Sequence, residues 1–296
     1  MSMVSLDLVK LTTLMERTSG AREVQIGLID GPVLTHHPDL SGDHLREIPG
    51  QSSGTCTHAT SFACSHGTFV AGILSAKRGS AAPAICPGCT LLLRPIFPEQ
   101  RTGHEQMPSA TPEELATAII DCVNAGVRVI NLSLAVAQPS MQGEQALDEA
   151  LNVSARRGVL VVAAAGNQGT LGSSALTRHP WVIPVAGCDL KGRPLNESNL
   201  SSSIGRRGLL APGEDITSSG TNGQPLTSGG TSVAGPFVTG TIALLWSEFP
   251  EASAAQIKFA VTQASQPRRA SVVPPLLDAA SAYHHLVTAN TRRGMA

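Results

Sequence analysis

The sequence predicts an α/β fold with a mainly parallel central sheet flanked by helices on both faces. Three observations lead there. Short apolar runs of strand length alternate with longer stretches of helical character. One run, residues 159–163, is apolar at every position, as expected of a strand covered on both sides. Finally, 42% hydrophobic residues over 296 positions supply enough material for one large core.

The elements follow in order. Residues 1–23 read as an N-terminal extension containing a short amphipathic helix. They do not read as a signal peptide, because no basic start and apolar run lead to a small-residue cleavage site. Residues 24–29 form a strand that ends at Asp30 and turns at Gly31-Pro32. A helix is expected over 68–77, opening directly after His66-Gly67, and a strand over 90–95. Thr111-Pro112-Glu113-Glu114 has the form of a helix start, with a capping hydroxyl, a proline and acids at the positive end of the dipole. Gly126 stops that helix. Strand 127–132, helix 144–157 closed by Gly158, and strands 159–163 and 181–186 come next. Ser232 opens a long helix towards residue 249, Ser253 caps another towards 264, and an apolar helix returns over 275–280. The main domain therefore spans 24–287, with 288–296 a tail whose Arg292-Arg293 frays.

Charge excludes some partners. Only 15% of residues are charged, the net charge is −1 and the pI is 6.7, so nothing attracts nucleic acid or an anionic membrane. The apolar runs are too short to cross a bilayer, and a soluble cytoplasmic protein is expected. Six cysteines occupy positions 56, 64, 86, 89, 122 and 188. Cys86-Pro87-Gly88-Cys89 fits a turn flanked by half-buried thiols, a disulfide, or a zinc site drawing on Cys56 or Cys64. The last lacks the usual second ligand pair. No metal or cofactor is required.

Three residues place a reactive group at a strand end or a helix start. Asp30 terminates the first strand, where a buried carboxylate can orient an imidazole. His66 lies in Ser65-His66-Gly67-Thr68, with Gly67 letting backbone pass closely. Ser232 follows Gly229-Gly230-Thr231 at a helix N-terminus that favours negative charge. Ser232 as nucleophile, His66 as base and Asp30 as its orienting group satisfy the logic of covalent acyl transfer. Asn167, after Ala163-Ala164-Ala165-Gly166, can donate its amide to an oxyanion together with the Ser232 N–H.

Taken singly, each of these has a bland reading as a cap, a turn or a structural residue. Their order along the chain, Asp, His, Asn, Ser, resembles that of the subtilases. Residues 24–32 resemble the Asp motif of that family, 65–72 its His motif and 230–236 its Ser motif. Residues 159–169 are similar to the strand carrying its oxyanion asparagine, and Leu210-Ala211-Pro212-Gly213 and His37-Pro38-Asp39-Leu40 also fit. Ile29-Asp30-Gly31-Pro32-Val33 and Leu93-Arg94-Pro95-Ile96-Phe97 resemble the branch that cuts precursor peptides in cyanobactin maturation.

The resemblance implies a serine endopeptidase that binds a peptide or protein substrate as an added strand along Ser133, Leu134, Ala135 and Val136. Ala165, Gly166 and Gln168 would border the pocket for the residue before the scissile bond. Ala135 and Val136 stand where the family commonly has glycines, which implies a narrow groove and narrow specificity. Phe69 and Val233 also depart from the usual His and Met, without bearing on the chemistry. Lys77-Arg78 argues against the calcium loop seen in relatives, and the short N-terminus against a folded pro-domain. A general degradative protease and an inactive peptide-binding module are the competing readings.

Overall fold

The computed structural model describes residues 2–40, 42–50, 56–97, 99, 110–134, 143–263 and 271–294. The chain opens with two helices, α1 (Ser2–Leu8) and α2 (Leu11–Arg17), where the sequence predicts one. The break falls at Lys10, whose φ of 56° is left-handed, and it lets Val9 and Leu11 both enter the main core at 0% exposure.

Seven parallel strands follow: β1 (Gln25–Asp30), β2 (Leu45–Glu47), β3 (Thr90–Pro95), β4 (Val129–Leu132), β5 (Leu160–Ala164), β6 (Val182–Cys188) and β7 (Leu209–Pro212). Their order across the sheet is β2-β3-β1-β4-β5-β6-β7. The chain thus leaves β1 to one side for β3 and returns to its other side for β4. In an open parallel sheet, ligands bind beyond the carboxyl ends of the strands at such a reversal. Asp30 stands at that point.

Strand alternation sorts side chains between two helical layers. Leu160 and Val162 of β5 join one cluster, with Phe69 and Ile73 of α3 (Phe62–Ser75) and Phe237 and Ile242 of α8 (Thr231–Glu248). Val161 and Ala163 join the other, with Leu115 and Ile119 of α4 (Pro112–Asn124) and Leu147 and Leu151 of α5 (Glu144–Arg157). The remaining elements are α6 (Ala175–Arg178), α7 (Ser202–Arg207), the antiparallel pair β8 (Ile216–Ser219) and β9 (Pro225–Ser228), α9 (Ala254–Gln263) and α10 (Ala279–Gly294). Among the described residues no helix is long and apolar enough to cross a membrane.

The mainly parallel sheet between helical layers agrees with the sequence, as do β3, α5 and its stop at Gly158, with φ 69°. Three expectations are corrected. Helix α3 starts at Phe62, well before residue 68, because the Ser61 hydroxyl caps the Cys64 N–H at 3.5 Å. Residues 275–277 are extended, not helical: Leu210 of β7 donates to Pro275 O at 2.7 Å and accepts from Leu277 N–H at 2.9 Å. And α10 runs past residue 287 to Gly294, so Arg292-Arg293 belongs to a helix.

The cysteines sort themselves differently too. Cys56 and Cys64 form a disulfide with their Cα atoms 5.5 Å apart, and a disulfide offers no thiolate to a metal. Cys86 and Cys89 are free thiols and fully buried rather than half-buried. Lys77 and Arg78 direct their charges at backbone carbonyls, those of Pro38 at 2.7 Å and of Thr18 and Ile85 at 2.9 and 3.0 Å.

Helix α4 carries the complete capping box that its sequence announces. The Thr111 hydroxyl accepts the Glu114 N–H at 3.2 Å, and the Glu114 carboxylate accepts the Thr111 N–H at 2.9 Å. Replacing Thr111 with Ala should therefore lower stability by about 1 kcal/mol in urea unfolding, with an unchanged denaturant slope. No loss at all would show that the cap is not stabilising.

Candidate active site

Strand β1 ends in a carboxylate with no solvent exposure. Asp30 Oδ1 accepts the Gly31 N–H at 2.6 Å and faces His66 Nδ1 at 2.7 Å. An ionised carboxylate accepts only, so Nδ1 carries a proton, and in the neutral imidazole Nε2 then keeps a free lone pair. His66 lies in the second turn of α3, with 13% of its side chain exposed. Phe62, one turn earlier, stacks on its ring with centroids 6.5 Å apart.

The carboxylate reaches the imidazole because α3 approaches the end of β1 without intervening side chains. A Cβ at Gly67 would meet Gly31 O at 2.4 Å and Pro32 O at 2.6 Å. Burial works against the imidazolium, but the charge of Asp30 and the hydrogen bond to it prevail. The His66 pKa therefore lies above its ordinary value.

Ser232 is half-buried in the first turn of α8. Gly230 precedes the helix with φ 107°, a conformation that favours glycine. The N–H groups that open a helix have no partner within it. Here the Thr231 N–H finds Asn167 Oδ1 at 2.8 Å, and those of Val233 and Ala234 reach Gly230 O at 3.2 Å. The Ser232 N–H has no acceptor among the described residues.

Asn167 is exposed after β5. Its Oδ1 also accepts the Thr231 hydroxyl at 2.9 Å, which leaves the amide Nδ2 without a protein acceptor among the described residues. Two donors, the Asn167 amide and the Ser232 N–H, thus flank one helix turn.

Of the expected substrate-strand residues, Ser133 and Leu134 are buried just beyond β4, and the Ser133 hydroxyl donates to Ser232 O at 2.8 Å. Ala135 and Val136 lie outside the described residues. Ala165 is buried, Gly166 is half-buried with φ 102°, and Gln168 is exposed. All three are tied to one residue that sequence reasoning passed over. Asn199 donates to Ala165 O at 3.2 Å and Gln168 Oε1 at 2.6 Å, and accepts the Gln168 N–H at 3.1 Å. Its backbone N–H reaches Gly166 O at 2.9 Å. Thr231 was also missed, although it lies inside the serine motif.

A cavity of about 710 Å³ opens beside Ser228 and Gly229, lined by Asp189, Arg193, Glu197, Glu214 and Asp215. Asp189 is bound to Arg193 at 2.6 Å.

The sequence profile of the subtilase family matches residues 21–285. The chain is 33% identical over 233 residues to a thermophilic serine proteinase of Bacillus sp. (strain AK1). That match covers 78% of this chain and 54% of the relative, so the chain spans about half of its length. Among solved structures it is similar to a mutant of the protease domain of PatA, with 30% identity and a TM-score of 0.82 over 91% of this chain and 97% of that one. It is also similar to the prenylagaramide maturation protease PagA, with 27% identity and a TM-score of 0.78 over 93% of this chain and 98% of that one.

The raised pKa of His66 has a sign that can be checked. Because it is raised in the fold, the pair stabilises the protein below the unfolded imidazole pKa and loses that contribution as pH rises through the folded one. NMR titration should place the His66 imidazole above 6.5 in the wild type. In Asp30→Asn only the desolvation remains, and the pKa should fall below 6.5. An unchanged pKa in that variant would refute the pairing as the cause.

Proposed function

The chain belongs to the subtilase family of serine endopeptidases, and we propose that it processes a precursor peptide with Asp30, His66 and Ser232 as its triad. The observation that carries the triad is the 2.7 Å bond between His66 and the unexposed Asp30, which commits the proton to Nδ1 and leaves Nε2 as the base. Ser232 Oγ attacks the scissile carbonyl as His66 takes its proton, and Asp30 stabilises the imidazolium that forms. The developing oxyanion is met by the Ser232 N–H and the Asn167 amide at the N-terminus of α8, where the helix dipole also favours negative charge. His66 then returns the proton to the leaving amine, and water releases the acyl group by the same route.

The substrate binds as an added strand along Ser133 and Leu134, directly after β4, while Ala165, Gly166 and Gln168 border the pocket before the scissile bond. Maturation of a precursor is supported by the similarity to PagA and to the PatA protease domain over more than nine-tenths of the chain. A cytoplasmic setting belongs to the same reading. Against it stands the Cys56–Cys64 disulfide, since such bonds persist mainly in oxidising compartments.

A peptide-library profile beside a casein digest tests the substrate class. The expected result is cleavage at few sequences, poor acceptance of bulky aromatic residues before the scissile bond, and slow loss of casein. A mismatch in the pocket is worth roughly 10–200-fold in kcat/KM. Casein hydrolysis as fast as that of a digestive subtilisin would instead identify a degradative enzyme. Failure of a serine-directed phosphonate to label Ser232 would identify an inactive binding module.

The oxyanion assignment has its own test. Asn167→Ala should lower kcat by roughly 10²–10³-fold with little change in KM, a range carried over from subtilisin itself. A pure KM effect would make Asn167 a substrate-binding residue.

A further inference from the structure

Helix α8 contains a proline at position 236, four residues after the nucleophile. In an α-helix the N–H of that residue would bond to the carbonyl of Ser232, and proline has no N–H to give. The Ser232 carbonyl is therefore released from the helix ladder. Its partner is the Ser133 hydroxyl, which donates to it at 2.8 Å from the end of β4.

That hydroxyl has no choice of direction. Thr239 donates to Asn131 Oδ1 at 2.8 Å, which turns the Asn131 amide nitrogen towards Ser133 Oγ at 2.7 Å. Ser133 accepts that bond, and its single proton points at Ser232 O. Asn131 and Thr239 are 0% exposed and Ser133 is 1% exposed, so water does not compete for these groups. Thr239 lies about two turns along the same helix, so the relay leaves α8, passes through β4 and returns to α8.

We propose that Ser133, aimed by Asn131 and Thr239, is a positioning residue for the nucleophile, and that Pro236 is what makes the Ser232 carbonyl available to it. Asn167 holds the Gly230–Thr231 peptide unit, one residue ahead of Ser232, through the Thr231 N–H, and Ser133 holds the unit directly after Ser232 through its carbonyl. Together these anchor the backbone one residue ahead of Ser232 and immediately after it, and with it the direction of Oγ. The inference rests on the triad reading above and gives Ser133 a role beyond the pairing of its backbone with substrate.

The test compares wild type, Ser133→Ala and the double variant Ser133→Ala/Pro236→Ala. Rates are measured on one chromogenic peptide and normalised to sites titrated with a fluorophosphonate. In Ser133→Ala, kcat per titrated site should fall roughly 10- to 100-fold, the size of effect expected when a reacting group is misplaced. KM should change little, and the fluorophosphonate labelling rate should fall in parallel. In the double variant a backbone N–H at position 236 reaches the Ser232 carbonyl, and part of the lost kcat should return.

If Ser133→Ala does not fold, the isosteric pair Ser133→Thr and Ser133→Val replaces it, and the threonine variant should be the faster by a similar factor. Wild-type kcat in Ser133→Ala, a rise confined to KM, or no recovery in the double variant would each overturn the proposal. A wild-type enzyme that is not labelled at Ser232 overturns the triad reading, and this proposal with it. A labelled wild type with indifferent variants overturns this proposal alone.

Discussion

Between the end of β1 and helix α3 there is room for backbone and nothing else. A methyl group at Gly31 would lie 2.0 Å from Ala63 O, and one at Gly67 would lie 2.4 Å from Gly31 O. Real Cβ contacts are never so short, so any side chain at either position would force the helix off the strand. The Asp30–His66 bond joins residues 36 positions apart, and it exists only at this separation. Moving α3 outward by an ångström would stretch a 2.7 Å bond beyond useful length. The geometry of the Asp30–His66 pair is thus set by the absence of two side chains.

The other half of the site depends on the same layer of the fold. Helices α3 and α8 share one core cluster, and the polar contacts around them keep their register. The Ser218 hydroxyl of β8 donates to Phe69 O at 2.7 Å in the turn after His66. From the other end of that hairpin, β9 runs directly into Gly229-Gly230 and the start of α8. Gly213, just past β7, accepts the Gly230 N–H at 2.7 Å and fixes where α8 begins. The sheet, the hairpin and both helices therefore converge on two short backbone segments, one carrying His66 and one Ser232.

What was legible in the sequence is what local rules determine. Thr111 with Glu114, Gly158 after Arg157, and the uniformly apolar run of β5 each announce themselves within a few residues, and the sheet follows from their alternation. Helix α3 shows the limit. Gly67 weakens a helix locally, so the sequence places its start after that residue. The structure keeps the glycine inside the helix because a tertiary contact requires it there. Strand β2 is exposed along most of Leu45–Glu47 and has no apolar pattern to betray it. The Cys86–Cys89 spacing attracts attention, yet the disulfide joins Cys56 to Cys64, because connectivity is a matter of fold and not of spacing. Asn199 acts through bonds to residues about thirty positions away, which no window of sequence contains.

Thr231 shows how far the site depends on such distant bonds. It lies beside Ser232 in the motif, but its place in the site comes from its bonds to Asn167. The Thr231 backbone N–H can only donate, so the atom of Asn167 that it faces must be the amide oxygen. The orientation of that side chain follows from chemistry and is not a matter of choice between oxygen and nitrogen. Turning the amide over would set an NH₂ group against an obligatory donor and leave both unsatisfied. With the oxygen anchored, the nitrogen is fixed on the side where Gly230 has no side chain, and a Cβ there would stand 2.8 Å from Asn167 Nδ2. Gly230 is therefore required twice, once for its φ of 107° and once for the space beside that nitrogen. The Asn167 amide and the Ser232 N–H are set by the same three residues, Gly230, Thr231 and Asn167, and a change at any one of them moves both donors together.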